Sequence, residues 1–281
     1  MSKSERIMSA LSCPVCGRKM TVENKGCGIL YCSGEKRHLY DFSASGYVNL
    51  ASPSQSNSGD AKNAVRARTA FLNTGHYLPI AQKLCEILEK HCPKQSVVVD
   101  AGCGEGYYAE EMLKKGFLVL GFDLSKHAVE YAAKRAKKMD ADNSFFAVAS
   151  VFSLPLKVNS ADAVVNVFAP CVEEEYSRVL SNNGILIAVH AGKEHLLGLK
   201  CVIYENTHFN DERADLPQNM TLVESENLKY KITVRGNENI KNLFAMTPYY
   251  WRTSKNDIEK LNFIDEIETE IDIIFSIYRK I

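Results

Sequence analysis

The fold of this chain is decided by the segment Val97-Val98-Val99-Asp100-Ala101-Gly102-Cys103-Gly104-Glu105-Gly106. The valines predict a buried parallel strand, and the residues from Tyr107 to Lys115 have the pattern of a helix. Between them, three glycines predict a sharp turn, because glycine accepts positive φ angles and lets a ligand approach the backbone. A strand, a glycine-rich turn and a helix in this order indicate a nucleotide-type cofactor site.

A second apolar strand, predicted from Phe117 to Phe122, ends directly before Asp123. A carboxylate at the end of the second strand, about 20 residues beyond the turn, is placed to accept hydrogen bonds from ribose hydroxyls. The ligand is therefore expected to contain adenosine. A tight strand-to-helix turn without a ligand is the alternative, and the matched position of Asp123 argues against it.

The spacing of the glycines distinguishes this motif from the motifs of nicotinamide and flavin sites. Those sites read Gly-x-Gly-x-x-Gly and present amides to a pyrophosphate, whereas here Asp100 stands before the first glycine. A carboxylate repels phosphate and suits a cationic sulfonium and amino group. The turn resembles motif I of the class I S-adenosylmethionine-dependent methyltransferases. This resemblance implies an α/β fold of the Rossmann-like type, with a mostly parallel seven-stranded sheet and S-adenosylmethionine as the cofactor.

The rest of the chain continues the alternation of helices and strands. The predicted elements are a helix from Lys126 to Met139, strands Asn143 to Val148, Ala161 to Phe168 and Gly184 to His190, and an antiparallel final pair, Leu228 to Val234 and Ile271 to Tyr278. The loop Ala169-Pro170-Cys171 lies near the point where strand order reverses in such sheets, so the methyl acceptor is expected there. By analogy with class I methyltransferases, the adenine is expected beside Ala149 and Ser150.

Aromatic residues occur at two further places of interest. Tyr77 stands at the break between two predicted helices, where it can reach over the glycine-rich turn to a bound cofactor. Residues 246–252 bring the single tryptophan, Trp251, together with Tyr249, Tyr250 and Arg252. Such side chains stack on bases that have left a helix. Packing in the core is the alternative for both places.

A cluster of cysteines near the N-terminus predicts a metal site. Four of the nine cysteines lie there, Cys13, Cys16, Cys27 and Cys32, and His38 follows. The run Cys13-Pro-Val-Cys16-Gly is typical of a zinc knuckle, in which a tight turn brings two thiolates to one ion. Cys32 and His38 have the spacing of a second ligand pair. Cys27 competes with Cys32, which is preferred because a strand is expected directly before it. Four protein ligands leave no open position, so the zinc is expected to be structural.

Charge and composition limit the partners and the cellular location that we expect for this protein. The net charge is zero, but residues 1–75 hold ten basic and five acidic side chains, so contact with a polyanion is expected at that end. No apolar run reaches about 18 residues, and the first residues lack the apolar centre of a signal peptide. We therefore expect a cytoplasmic protein with no membrane contact. The polar stretch 52–60 predicts a surface loop or link between domains.

Several motifs, taken in order, resemble one bacterial enzyme family over nearly the whole chain. They are Cys13-x-x-Cys16 with Cys32 and His38, Gly46-Tyr47-Val48-Asn49-Leu50, Arg68-Thr69-Ala70-Phe71-Leu72 with Gly75-His76-Tyr77, Asp100 to Tyr108, Ala169-Pro170-Cys171, and Met246-Thr247-Pro248. Together they are similar to the 23S rRNA (guanine-N1)-methyltransferases of the RlmA family.

This resemblance implies methyl transfer to N1 of a guanine in a hairpin loop of 23S rRNA, and in most members a homodimer. It implies a zinc-binding RNA-recognition module, here at residues 1–51, followed by a linker and connecting helix at 52–75 and a methyltransferase domain at 76–281. It also implies cofactor contacts from Tyr77, Gly104, Glu105 and His195. With the turn and the second strand, the expected cofactor set is Tyr77, Asp100, Gly102, Gly104, Glu105, Gly106, Asp123, Ala149, Ser150 and His195.

Guanine N1 carries a proton and is a poor nucleophile when neutral, so a base or a group that stabilises the anion is expected to assist. His190, His195 and Glu173 are the candidates for this catalytic role. Two other functions stay open at this point, a methyltransferase for a small molecule and a non-catalytic zinc-ribbon RNA-binding protein. The intact turn and Asp123 argue against the second. The loop Ala169-Pro170-Cys171 looks like the branch that modifies the first of two neighbouring guanines.

Overall fold

The computed structural model describes residues 1–23, 28–52, 59–210, 217 and 220–280. Two features discussed above lie outside the described residues: Cys27 as a competing zinc ligand, and positions 53–58 of the expected link. In the part of the chain that is described, no helix is long and apolar enough to cross a membrane.

The N-terminal residues form a helix and a small antiparallel sheet. The elements are α1 (Lys3–Ala10), β1 (Met20–Glu23), β2 (Ile29–Cys32) and β3 (Leu39–Asp41), with the strand order β1-β2-β3. Ser2 caps α1, because its hydroxyl accepts from the Glu5 amide while the Glu5 carboxylate accepts from the Ser2 amide. Leu30 and Cys32 are fully buried and belong to a core that also contains strands of the larger sheet.

The central sheet carries the methyltransferase architecture. Its strands are β4 (Val48–Asn49), β5 (Val97–Ala101), β6 (Leu118–Asp123), β7 (Ser144–Val148), β8 (Ala161–Val167), β9 (Leu180–Ala191), β10 (Met220–Arg235) and β11 (Glu266–Lys280). Their order is β10-β11-β9-β8-β5-β6-β7-β4; the strands from β4 to β9 pair in parallel, and β11 pairs antiparallel with β9 and β10. The predicted Rossmann-like fold is confirmed. The described sheet has one strand more than the expected seven, because Val48 and Asn49 pair with β7.

Helices cover the sheet, and its two faces have separate cores. The helices are α2 (Lys62–Leu72), α3 (Leu78–His91), α4 (Tyr107–Lys114), α5 (Lys126–Lys138), α6 (Glu173–Val179), α7 (Leu197–Ile203), α8 (Asn237–Ala245) and α9 (Lys255–Glu259). Along β5, Val98 packs in the core that holds α3 and α4, whereas Val97 and Val99 pack in the core that holds α1 and α6. Burial on both faces explains why the central strands are unbroken apolar runs.

Backbone hydrogen bonds tie the N-terminal residues to the loop that follows β7. The Ser12 amide donates to the Pro155 carbonyl at 2.9 Å, and the Lys157 amide donates to the Ala10 carbonyl at 2.9 Å. Between them, the fully buried Leu11 forms a bridge with Leu156. We call these contacts, between residues 10–12 and 155–157, the N-terminal joint. The division of the chain at residue 51 stays a prediction, and the residues before it share a core with the central sheet.

Candidate active site

The glycine-rich turn links β5 to α4 in a conformation that needs its glycines. Gly102, Gly104 and Gly106 have φ angles of 83°, 52° and 76°, in the left-handed region that side chains disfavour. A Cβ added at Gly102 would lie 2.6 Å from the Cβ of Ala169, and one at Gly106 would lie 2.8 Å from Ala132. The turn is therefore packed closely between the loop after β8 and helix α5.

Three carboxylates surround this turn. Asp100, at the end of β5, is 1% exposed, and its Oδ2 has no hydrogen-bond partner among the described residues. Burial, together with the nearby charges of Asp123 and Glu105, raises the pKa of Asp100 to about 7. A buried carboxyl oxygen without a partner is costly, so Oδ2 favours a hydrogen-bond donor or a cationic group beside it. Acidic side chains at the turn make it unfavourable for a pyrophosphate.

Asp123, at the end of β6, is hydrogen-bonded through its carboxylate to the turn that follows β5. Its Oδ2 accepts from the Gly104 amide at 3.1 Å, and its Oδ1 accepts from the Ser125 amide at 2.7 Å. Burial raises the pKa of Asp123 above its ordinary range, although the two amide hydrogen bonds oppose this. The acid at the end of β6 therefore shapes the turn and also lines the cavity described below.

Arg68 of α2 is a site residue that the local sequence patterns did not identify. Its Nε donates to Glu105 Oε2 at 2.6 Å, and its Nη1 pairs with Asp60 at 2.5 Å. Burial alone would lower the pKa of Arg68, but the carboxylates of Glu105 and Asp60 reverse this and raise it. The guanidinium also packs against Gly104. Arg68 thus neutralises the Glu105 carboxylate, which is 3% exposed, and its second ion pair holds Asp60 close to the turn.

A cavity of about 620 Å³ opens beside the turn, within the size range of small-molecule sites. Six residues of the expected cofactor set line it: Tyr77, Gly102, Gly104, Glu105, Asp123 and His195. The other four, Asp100, Gly106, Ala149 and Ser150, are not part of the lining. From the loop after β7, the cavity is lined by Val151 and Phe152 instead of the expected Ala149 and Ser150. From the loop after β6 it is lined by Leu124, which the sequence patterns did not single out.

Tyr77 and His195 meet inside the cavity. The Tyr77 hydroxyl lies 3.3 Å from His195 Nε2, and both residues are buried. The Asp272 amide donates to His195 Nδ1 at 3.3 Å, so the proton of the neutral ring lies on Nε2 and is donated to Tyr77. Burial lowers the pKa of His195 to about 4 and raises the pKa of Tyr77, so both side chains are neutral at pH 7.

The three candidate catalytic residues do not lie together. His195 lines the cavity, whereas His190 and Glu173 do not. His190 lies within β9, with its Nε2 3.4 Å from the Ser276 hydroxyl, and Glu173 is the first residue of α6. Ala169 and Pro170 of the loop after β8 line the cavity as well.

Exposed aromatic rings contribute to the cavity wall. Phe152, Phe168 and Trp251 all line it, and they are 64%, 47% and 76% exposed. Trp251 therefore lies at the surface rather than in the core. Large apolar side chains left open beside a cavity are suited to a ligand with flat apolar faces.

The predicted zinc ligands lie together at the start of the small sheet. The ligand atoms of Cys13, Cys16, Cys32 and His38 all lie within 4.8 Å of one another. Cys16 Sγ and Cys32 Sγ are 3.6 Å apart, and His38 Nδ1 lies 3.4 Å from Cys32 Sγ. A tetrahedral zinc site with Zn–S bonds of about 2.3 Å requires sulfur separations of about 3.8 Å. The cluster thus fits zinc in geometry and in ligand type, and the His38 amide lowers the pKa of Cys32 to about 6.

The sheet order and the acidic glycine turn, with the buried Asp100 at the end of β5, define a class I S-adenosylmethionine-dependent methyltransferase. A family model described as a methyltransferase domain matches residues 93–246, more than half of the chain. The solved structure of the YcgJ protein from Bacillus subtilis has a TM-score of 0.50 at 18% identity, covering 71% of this chain and 97% of that chain. A likeness at that identity shows the fold.

Two relatives narrow the class to a family. The 23S rRNA (guanine(748)-N(1))-methyltransferase of Streptomyces fradiae is 31% identical over 203 residues, which are 69% of this chain and 68% of the relative. YxjB of Bacillus subtilis (strain 168), assigned as a 23S rRNA (guanine-N(1)-)-methyltransferase, is 27% identical over 278 residues, 94% of this chain and 95% of the relative. The chain belongs to the 23S rRNA (guanine-N1)-methyltransferase family, as its motifs predict.

Proposed function

We propose that this protein transfers the methyl group of S-adenosylmethionine to N1 of one guanine in a hairpin loop of 23S rRNA. The observation that carries the proposal is a cavity that runs from the acidic glycine turn to Phe168, Ala169 and Pro170 after β8. A cofactor held at the turn and a base held at the loop share this cavity. The relatives supply the acceptor, since both are named for methylation of guanine N1 in 23S rRNA.

The proposed cofactor contacts follow from the charges around the turn. S-adenosylmethionine, when bound, supplies an electrophilic methyl group on a cationic sulfonium. Asp100 is proposed to hold the cationic amino group, because its buried Oδ2 has no other partner in the described residues. Asp123 is proposed to accept from the ribose hydroxyls, and Glu105 to face the same ligand while Arg68 fixes its carboxylate. Ala149 and Ser150 are proposed to lie along the adenine edge.

His195 is proposed to position Tyr77 rather than to remove the N1 proton. The lone pair of Nδ1 is engaged by the Asp272 amide, and Nε2 carries the proton that Tyr77 accepts. The Tyr77 hydroxyl is then free to donate its own hydrogen into the cavity. A neutral phenol donor at this place stabilises the negative charge that develops on guanine as its N1 proton is lost to solvent water and N1 takes the methyl group.

The N-terminal cluster is proposed to hold one structural zinc ion and to present the surface that recognises the rRNA. Arg37 stacks over the Tyr31 ring there, with 5.1 Å between the guanidinium carbon and the ring centroid. A cation and a ring in this arrangement are suited to phosphate and base contacts. We further propose a homodimer, as the family resemblance implies, and action in the cytoplasm, where the rRNA of bacterial relatives is found.

The test is incubation of the purified protein with radiolabelled S-adenosylmethionine and 23S rRNA transcribed in vitro, followed by nucleoside analysis. The expected product is 1-methylguanosine, which blocks the pairing edge of guanine and therefore stops reverse transcription at the modified nucleotide. A transcript with adenine in place of that guanine is the matched control and should accept no label. Label in another nucleoside, or binding of cofactor without any transfer to rRNA, would refute the proposal.

A further inference from the structure

Phe168 stands out among the aromatic residues of the cavity because its backbone is strained. It is the first residue after β8, and its φ of 54° lies in the left-handed region. A bulky side chain seldom adopts this conformation, and such strain persists only where neighbours enforce it. Folding alone does not account for the ring, because the residue is 47% exposed and contributes little to either core.

A buried hydrogen-bond network holds the loop that carries Phe168. Asn166 Nδ2 donates to the Pro170 carbonyl at 3.0 Å and to the Tyr176 hydroxyl at 2.9 Å. The Tyr176 hydroxyl donates in turn to the Pro170 carbonyl at 3.0 Å, and Tyr176 is fully buried. At the start of the loop, the Phe168 amide donates to the Val189 carbonyl at 3.0 Å. Both ends of the loop are fixed, so the ring is held where the strand ends.

The ring is also supported from inside the cavity. It stacks on His195, with ring centroids 6.0 Å apart and an interplanar angle of 17°. His195 is itself fixed by Tyr77 and by the Asp272 amide. The next residue, Ala169, lies against Gly102 of the glycine-rich turn. An apolar flat surface is thus held rigidly next to the place where the methyl donor is expected.

The geometry points to Phe168 as the surface on which the acceptor guanine stacks during methyl transfer. This inference rests on the proposed function and names the residue that positions its substrate. A purine presents a wide π-face, and stacking on an aromatic side chain fixes the height and plane of a base without reading its identity. The methyl group moves along one line, so the plane of the base decides whether N1 meets it.

The test compares Phe168→Ala, Phe168→Leu and Phe168→Tyr in steady-state methylation of the rRNA transcript. Removal of one base–aromatic stack is expected to lower kcat/KM by about 10- to 100-fold in the alanine and leucine variants. Most of the loss should appear in kcat, because contacts to phosphates elsewhere set the affinity for RNA. Phe168→Tyr, which keeps the π-face, should retain activity within about threefold. Phe263→Ala is the matched control, since Phe263 is 89% exposed and does not line the cavity.

Two further measurements separate stacking from other roles. Calorimetric affinity for S-adenosylmethionine and the midpoint of thermal unfolding should match the wild type in all three variants. An alanine variant that loses cofactor affinity as much as activity would overturn the inference, since Phe168 would then be a cofactor contact. Full activity in Phe168→Leu would overturn it as well. If the wild type itself transfers no methyl group to rRNA, the proposed function fails, whereas an active wild type with an equally active alanine variant refutes only the role of Phe168.

Discussion

Replacing Asp100 with asparagine is expected to make the variant more stable relative to the wild type as the pH rises, and to weaken cofactor binding. Burial, with Asp123 and Glu105 nearby, raises the pKa of Asp100 to about 7 in the folded protein. In the unfolded chain the pKa is about 3.9. Between these values the folded protein keeps a proton that the unfolded chain has released. The contribution of Asp100 to stability therefore falls as the pH rises through this window.

The magnitude follows from the size of the pKa difference. About three pKa units at about 1.36 kcal/mol each correspond to about 4 kcal/mol lost between about pH 4 and pH 8. Asparagine has nearly the same shape and does not ionise. The unfolding free energy of Asp100→Asn minus that of the wild type should therefore grow by about 4 kcal/mol over this range. Any constant cost of burying the amide cancels when the two ends of the range are compared.

Urea unfolding, followed by circular dichroism at several pH values between about 4 and 8, measures this difference. Calorimetry at the upper pH should show that the same variant binds S-adenosylmethionine about 10- to 100-fold more weakly, because a charge-assisted hydrogen bond to its amino group is lost. A stability difference that does not change with pH would refute the assignment of the raised pKa to Asp100. An unchanged cofactor affinity would refute its proposed contact.

The remaining predictions concern the ion pair, the turn and the metal cluster. Arg68→Met leaves the buried Glu105 carboxylate without its cation, so urea unfolding should show an unfolding free energy lower by about 3–5 kcal/mol. A second change, Glu105→Gln, removes the unpaired charge and should restore most of this free energy. Gly102→Ala brings a Cβ to 2.6 Å from Ala169, so calorimetry should show cofactor affinity at least about tenfold lower. Cys16→Ser should abolish zinc binding, measured as metal content of the purified protein, and should lower the thermal unfolding midpoint.

Each of these has an outcome that would contradict it. A double variant no more stable than Arg68→Met would show that the unpaired Glu105 is not the cause of the loss. A wild-type affinity for S-adenosylmethionine in Gly102→Ala would mean that the loop after β8 moves to accommodate the added Cβ at no cost to cofactor binding. Full zinc content in Cys16→Ser would remove that cysteine from the ligand set.

The sequence alone predicted the glycine-rich turn because the backbone of the turn itself requires glycine at its positions. Gly102, Gly104 and Gly106 all adopt the positive φ angles that motivate glycine at those positions. The position of Asp123 follows from the length of one helix and one strand. The cluster of Cys13, Cys16, Cys32 and His38 was predicted from the knuckle, the spacing of a second pair and a strand expected before Cys32, and the four ligand atoms lie within 4.8 Å of one another.

Partners far apart in sequence could not be predicted in this way. Arg68 and Glu105 are 37 residues apart, and they meet only because α2 packs over the turn. Strand β4 has two residues, too few to show a periodic pattern. Nothing in the residues around Phe168 indicates a left-handed backbone, which depends on the network of Asn166, Pro170 and Tyr176. The local sequence predicts elements, whereas the contacts between them decide the lining of the cavity.

The N-terminal joint has a consequence for the order in which the chain assembles during synthesis. The Lys157 ammonium donates to the Ser9 carbonyl across a separation of 148 residues. Residues 9–12 therefore leave the ribosome long before their partners at 155–157 are made, and closing so long a loop slows folding. The proposed zinc ligands, at positions 13 to 38, are all synthesised long before residue 157. A metal ion taken up early would keep the small sheet folded, and shield its apolar residues from other nascent chains, until residues 155–157 are made.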